Sequence, residues 1–478
     1  MLRLGLSQYI PYTIYGLSFV VALTAFFYRR EIGILFIAFF LPVYVVLHKA
    51  LTLDLPFAND IVDFVLIGMI LGGLVQSGRE DQKPAVGQSP QIWLIILFVG
   101  YSLISYLSGS FYLGGDFMSD VNYQRLADWK NYMIVPLLYI LTYYTLRERK
   151  WKYALFLLLF VSFIAMDLKF KETFRWFQHT RYAHENRVDG TFGFLNGNAF
   201  AAFHVICTLF LVSMFLMDRH FRRRIAYGLL IVGGVFCILY SYSRGAYVGF
   251  AAGLVFIALV RSRKLLIPLF LFLLVWKVVV PSSVVDRIEG TFVENDGRAG
   301  VISVGGTNLE TAYRSEIWKE ALSIFSANPV MGTGFRTFYE KTGWDTHNQY
   351  LKTLSEQGVI GLLIYLVLYQ RAFMSGWRLY KGGDEDLLRA FGFSFVCAVV
   401  GSMVVNFFGD RWTYLQIGGI YWIAWALVDQ ENSRIALERQ VEGSRLEGEA
   451  METIGVEGSV AEARVQGSKG SSELPQNI

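Results

Sequence analysis

Charge is scarce in this sequence. Of 478 residues, 17% are Asp, Glu, Lys or Arg, against 54% hydrophobic and 16% aromatic, and the mean hydropathy is +0.41. A soluble domain carries about 25% charged residues. The composition therefore excludes a cytosolic globular enzyme, and with it a disordered chain, a collagen or a small disulfide scaffold. Cysteine is scarcer still: Cys207, Cys237 and Cys397 all lie inside apolar runs, so they form no disulfide framework and say little about redox compartment. Residues 1–10 lack a basic region followed by a small-residue cleavage site, so the first apolar run is expected to be retained. HExxH, paired CxxC, a P-loop and GxSxG are all missing, which narrows the chemistry. No internal repeat and no matching pair of Gly/Pro-broken helices is visible, which weakens a transporter reading.

What the chain has instead is long apolar runs. About thirteen can be placed, most of them roughly 16–22 residues, the length that crosses a hydrocarbon core of about 30 Å as a helix. They must be helices, because an open sheet cannot leave its edges unpaired in lipid. The fold expected is an all-α polytopic membrane protein of 12–13 transmembrane helices. Residues 225–260 make one run of 36 residues, interrupted by Ser241-Tyr242-Ser243-Arg244-Gly245. As a single helix it would be about 54 Å long, so two helices joined by a tight turn are expected. Arg29 and Arg30, then 147–152, then 219–224, then 261–264 fall on one side when the runs alternate, and Arg371, Arg378, Lys381 and Arg389 join them. The positive-inside bias makes that side the cytoplasm.

Two longer loops then lie outside, a basic one at 169–191 and a larger one at 282–346, within a membrane domain of residues 1–428. Residues 429–478 carry ten acids against five bases and no aromatics, and are expected to be a disordered acidic cytosolic tail.

Lys169, Lys171, Arg175, Arg181 and Arg187 make the first outer loop basic, against the usual bias. Guanidinium groups there suit an anion such as phosphate, and ordinary surface ion pairs are the plainer alternative. In the second loop, 313–325 has the spacing of an amphipathic helix that Asn328-Pro329 stops. Six histidines are present. His48 and His220 fall at interfaces, and His204 is expected to hydrogen-bond a neighbouring helix. His347 differs by position, at the outer mouth of a helix and on the same face as Arg187 and Arg244. A neutral imidazole, with an ordinary pKa near 6.5, is a suitable general base there. Asp384-Glu385-Asp386 reads as a solvated cluster, and Glu294-Asn295-Asp296 as a polar loop able in principle to hold Mg²⁺ or Mn²⁺. Gly245, Gly249 and Gly253 form a ladder for close helix packing.

His347-Asn348-Gln349-Tyr350-Leu351 followed by Glu356-Gln357-Gly358-Val359-Ile360-Gly361 resembles the signature of the bacterial O-antigen ligase and O-antigen polymerase family. So do Arg187-Val188-Asp189-Gly190-Thr191-Phe192 leading to Asn196-Gly197-Asn198, Ser243-Arg244-Gly245-Ala246, and Tyr313-Arg314 through Asn328-Pro329-Val330-Met331-Gly332-Thr333-Gly334. With the run pattern, the resemblance covers roughly residues 10–428.

It implies a GT-C type membrane glycosyltransferase that takes a glycan from undecaprenyl diphosphate and passes it to an acceptor hydroxyl, such as a lipid A core sugar. The expected site is the periplasmic face of the bacterial inner membrane. It further implies His347 as catalytic base, Arg187, Arg244 and Arg314 as ligands of the pyrophosphate, and Asn348 and Glu356 in support. The reaction would be inverting, with no cofactor, metal or nucleic acid. A polysaccharide polymerase and a protein O-oligosaccharyltransferase share the donor half-site and differ only in acceptor. A lipid or polysaccharide flippase is the rival from another class, but it would carry charge along a central cavity, whereas these arginines lie at the outer ends of the runs.

The topology is directly testable. A membrane-impermeant thiol reagent applied from outside should label a cysteine placed at Asp296 and leave one at Gly458 unlabelled. The reverse pattern would overturn the placement of the site as well.

Overall fold

The computed structural model describes residues 10–43, 61–76, 87–183, 187, 196–292, 301–304, 307–310 and 313–469. His48, His184, Glu185, Asp189 and the 294–296 loop lie outside the described residues. The chain opens with α1 (Ile10–Phe27), α2 (Arg30–Phe40), α3 (Ile61–Val75), α4 (Ile92–Tyr112) and α5 (Asp120–Thr145). Then follow α6 (Arg149–Thr173), α7 (Gly197–Met217), α8 (Phe221–Tyr240), α9 (Arg244–Arg261) and α10 (Leu266–Val279). The larger loop holds α11 (Ser282–Glu289), an antiparallel hairpin of β1 (Val301–Val304) and β2 (Thr307–Glu310), α12 (Arg314–Ala327) and α13 (Thr337–Thr342). The chain closes with α14 (Gln349–Gly382), α15 (Asp386–Phe407) and α16 (Leu415–Lys469).

The protein is an all-α polytopic membrane protein. Among the described residues, seven helices are individually long and apolar enough to cross a bilayer, or eight if the α10–α11 pair, bent by 104°, is one span. Helices α1 and α3 are shorter apolar helices. The others fall short of that measure for visible reasons. Helix α5 begins with a polar stretch capped by Ser119, whose Oγ accepts from the Asn122 N–H at 3.3 Å. Helix α16 is apolar only from Leu415 to Val428.

Side chains pack in two groups. The first joins α1–α5 to α14 and α16, and the second joins α6–α9. Helix α15 lies between them, giving Phe391, Phe395 and Val399 to one group and Ala390, Phe393 and Cys397 to the other. The glycine ladder of α9 makes this contact close. A Cβ at Gly245 would stand 2.5 Å from the Phe408 Cβ, and one at Gly249 would stand 2.6 Å from a Val405 methyl. A Cβ at Gly253 would meet Leu209 at 2.2 Å.

At one end of the bundle the short basic loops meet. Arg29 pairs with Glu148 at 3.7 Å, Lys152 with Glu431 at 2.5 Å and Arg219 with Asp386 at 3.3 Å. Arg149 pairs with Glu385, and Arg434 with Asp384 at 2.9 Å. The loops at Arg29, 147–152, 219–224 and 384–389 are thus brought to a common end, and the Asp384-Glu385-Asp386 cluster is spent on four arginines, Arg149, Arg219, Arg389 and Arg434. The single run 225–260 is two helices, α8 and α9, turning at 241–243.

The tail departs from expectation. Helix α16 continues without interruption from the bundle to Lys469, where disorder after Val428 was expected. Its first residues past Val428 are not solvated: Asp429, Gln430 and Glu431 are buried. The Asp429 carboxylate accepts from the Tyr139 hydroxyl at 2.7 Å. Arg434 then pairs along the helix with Glu431 and Glu438, the spacing that supports a helix without an apolar face. Composition alone missed this because charged residues at that spacing read the same in a helix as in a coil. The basic outer loop is also shorter than 169–191, since α6 runs on to Thr173 and pairs Lys169 with Glu172 within its last turn.

Candidate active site

Helix α14 is broken near its start. Gly358 has φ 64° and ψ −166°, so the helical hydrogen bonding lapses there and carbonyls before the break are free to accept elsewhere. The loop 329–335 uses them. Thr333 donates its N–H to the Ser355 carbonyl at 3.1 Å, and Gly334 donates to the Glu356 carbonyl at 2.6 Å. In return Val359 donates to the Pro329 carbonyl at 2.9 Å. A Cβ on Gly358 would stand 2.2 Å from the Val330 oxygen, and one on Gly332 would stand 2.4 Å from the Glu356 carbonyl carbon. The two glycine-bearing motifs of the sequence are therefore the two halves of a single joint.

Glu356 locks this joint. Its carboxylate is buried and accepts from the Arg336 N–H at 2.9 Å and the Phe338 N–H at 3.3 Å. It holds α13 against α14 and is a positioning residue. Arg125, wholly buried on α5, does the same from the other side. Its guanidinium donates to the carbonyls of Phe335 and Tyr106 and to Ser110 and Asn122.

His347 stands directly before α14. Its φ is 49°, in the left-handed region. It does not cap the helix: Asn348 does, its Oδ1 accepting from the N–H groups of Tyr350 at 2.9 Å and Leu351 at 3.1 Å. The segment is pinned to α12, where the Trp318 indole donates to the Thr346 carbonyl at 2.9 Å. The imidazole is half-buried, and its Nδ1 lies 3.4 Å from an Asp345 carboxylate oxygen. Burial pushes its pKa below the ordinary value; Asp345 opposes that, and Arg314 and Arg411 add to it.

Around it gather arginines. Arg187 donates to the Ser241 carbonyl at 2.9 Å and to the Asn198 Oδ1 at 2.6 Å, tying the first outer loop to the α8–α9 turn. That turn holds Tyr242 at φ 54°, and the Tyr242 hydroxyl is fixed by His179 Nδ1 at 2.9 Å and by Ser283 at 3.1 Å. Arg244 follows as the first residue of α9 and donates to the Thr291 hydroxyl at 3.2 Å. Arg314 opens α12 and, among the described residues, makes no hydrogen bond or ion pair. Its guanidinium is pushed down to about 10, first by burial, then by Arg244 and Arg411. Asp345 opposes this and Arg187 adds to it. Among the described residues, Arg314 thus shares one field with Arg187, Arg244, Arg411 and Asp345, and of these Arg314, Arg411 and Asp345 also act on His347.

The fourth arginine was not singled out from the sequence. Arg411 is buried in the turn between α15 and α16, with its N–H on the Asn406 Oδ1 at 3.0 Å and its guanidinium 5.5 Å from the Tyr414 ring centre. The neighbouring Asp410 does not neutralise it, being engaged by Lys352 at 2.5 Å and by the Thr413 hydroxyl at 2.7 Å. The only signal was a lone charge pair, Asp410-Arg411, at the outer end of an apolar run.

His179 and His204 are structural. His179 is buried and stacked on Phe174, with ring centres 4.0 Å apart. His204 meets Asp167 on a neighbouring helix at 3.0 Å.

The candidate site is thus a group of guanidinium groups beside a histidine at one end of a polytopic membrane bundle. Residues 229–366 match the model of the O-Antigen ligase family. The matched segment includes Arg244, Arg314, His347 and Glu356 and leaves Arg187 and Arg411 outside. No curated protein matches the chain.

The joint makes a sharp prediction. Gly358→Ala should lower stability by at least about 1–3 kcal/mol, the cost of forcing a side chain into that backbone conformation, while Gly100→Ala, with open space around its Cβ, should not. Thermal unfolding in detergent reads both. Equal midpoints would show that the joint is not rigid.

Proposed function

We propose that the protein transfers a glycan from undecaprenyl diphosphate to an acceptor hydroxyl at the periplasmic face of the inner membrane, in the manner of an O-antigen ligase. The observation that carries this reading is the arginine field, which among the described residues is opposed by the Asp345 carboxylate. A diphosphate is a good leaving group only once its charge is stabilised, and preorganised guanidinium forks in a partly water-excluded site do this without reorganising. Arg314, which makes no hydrogen bond or ion pair among the described residues, is placed to take the phosphate most directly, with Arg187, Arg244 and Arg411 sharing the load.

His347 takes the acceptor proton. The Asp345 carboxylate beside Nδ1 favours the tautomer with the proton on that nitrogen, leaving Nε2 as the base. Attack from the side opposite the diphosphate inverts the anomeric centre. Glu356, Arg125 and Asn348 keep the two halves in register and touch neither substrate. The acceptor is a lipid A core sugar in the ligase reading; a second lipid-linked glycan or a protein hydroxyl would use the same donor chemistry.

Substitution separates the roles. Arg244→Lys keeps the charge and loses the fork, and Arg244→Ala loses both, so donor-dependent activity should fall in that order. His347→Ala should bind donor nearly as before and lose roughly 10²–10⁴-fold in transfer. His347→Asn is the sharper probe, since asparagine accepts the left-handed backbone and Asn348 still caps the helix. It should be folded and as inactive as His347→Ala. Near wild-type transfer by His347→Asn, assayed in excess EDTA, would remove His347 from the reaction.

The pH profile gives an independent reading. The base works as neutral imidazole, and its pKa is held below the usual value near 6.5. The acid limb of kcat/KM should therefore lie below that pH. Arg411→Gln removes a nearby positive charge, so protonation becomes easier and the limb should move to higher pH. A limb that stays in place would show that Arg411 does not act on His347.

A further inference from the structure

The end of the bundle away from the arginine field holds a second feature that the transfer reaction does not use. Where α6, α8, α15 and α16 meet the paired basic loops, a cavity of about 410 Å³, open at its mouth, has five cations in its wall against two carboxylates. The cations are Arg147, Arg149, Lys152, Arg223 and Arg434, and the carboxylates are Glu385 and Glu431. Two of its walls, Phe156 and Phe160, are shared with a second, narrow cavity of about 100 Å³ that runs deeper between α6, α7, α15 and α16. Nearly every side chain facing that deeper space is apolar, among them Phe163, Phe203, Phe210 and Ile417.

The cations are not equally committed. Lys152 and Glu431 form a closed pair, with only 12% and 10% of their side chains exposed. Arg434 is tied to Asp384, Glu431 and Glu438. Arg149 and Arg223 are different, with 61% and 43% of their side chains exposed. Arg149 spends Nη2 on Glu385 and Nε on the Tyr153 hydroxyl, and Arg223 spends Nε and Nη2 on Asp218. In both, Nη1 has no hydrogen bond among the described residues, so each fork keeps a donor for a guest.

A cationic rim beside an apolar shaft that shares two of its walls is complementary to a molecule with an anionic head and hydrocarbon tails. We propose that this cavity binds one anionic diacyl phospholipid from the cytoplasmic leaflet. Its phosphate sits on Arg149 and Arg223, and an acyl chain passes between Phe156 and Phe160 into the shaft. The excess of positive charge selects the anionic headgroup, because a hydrocarbon tail gains little on leaving the bilayer for an apolar pocket. The proposal does not depend on the glycosyl-transfer reading, and it places the lipid at the opposite end of the bundle from the diphosphate.

The test uses the full chain in nanodiscs containing equal phosphatidylglycerol and phosphatidylethanolamine, released and read by native mass spectrometry. One phosphatidylglycerol should remain bound in preference to phosphatidylethanolamine. Arg149→Gln/Arg223→Gln should reduce that preference by about tenfold or more, and Arg149→Lys/Arg223→Lys by less. Should the double Gln variant fold poorly, Phe160→Trp, which fills the junction of the two cavities, should lose the bound lipid while the rim is intact. Equal retention of the two lipids, or a preference unchanged in these variants, would overturn the proposal. Displacement of the phospholipid by undecaprenyl phosphate at equal concentration would overturn it in favour of an isoprenoid occupant.

Discussion

The break in α14 at Gly358 is the constraint on which the candidate site rests. A continuous helix would satisfy its own carbonyls and offer nothing to the 329–335 loop. By lapsing for one residue it lends the Ser355 and Glu356 carbonyls to that loop and takes the Pro329 carbonyl in exchange. Glu356 then fixes α13, and Arg125 reaches the same loop from α5 through the Phe335 carbonyl. Because α12 ends where this loop begins, and because Trp318 of α12 grips the residue before His347, the joint ties Arg314 and His347 to the same rigid piece. Irregular backbone at the edge of a membrane bundle is tolerated where protein rather than lipid surrounds it.

Much of the fold was legible because lipid imposes a simple rule on sequence. Run lengths, the alternation of basic loops, the turn at 241–243 and the glycine ladder of α9 all follow from hydrophobic length, charge placement and side-chain size. What escaped was decided by three-dimensional neighbours. Arg125 looks like one more polar residue ahead of an apolar run, and only its encirclement by carbonyls gives it a role. Arg411 carries no motif. The helix beyond Val428 was invisible to composition, since its order depends on Asp384, Gly382 and Tyr139 lying close enough to receive it.

At the site itself the sequence placed Arg187, Arg244, Arg314 and His347 on one face, because each motif falls at the same end of its helix. It did not say which of His347 and Asn348 caps α14. His347 and Asn348 are adjacent, both are polar, and either can end a helix. The structure separates them by backbone: Asn348 is extended and turns its amide oxygen onto α14, whereas His347 is left-handed and has its ring beside Asp345.

The arginine field has a consequence for turnover. In the proposed reaction the donor's diphosphate is esterified at both ends, whereas the spent carrier leaves with one end free and with more negative charge. A field strong enough to stabilise charge as the glycosidic bond breaks therefore holds the departing carrier more tightly than the arriving donor. The slow event of the cycle then falls after the chemistry, at carrier release. Arg187 and Arg244, which anchor on Asn198, Ser241 and Thr291, are the groups that set how long the carrier stays.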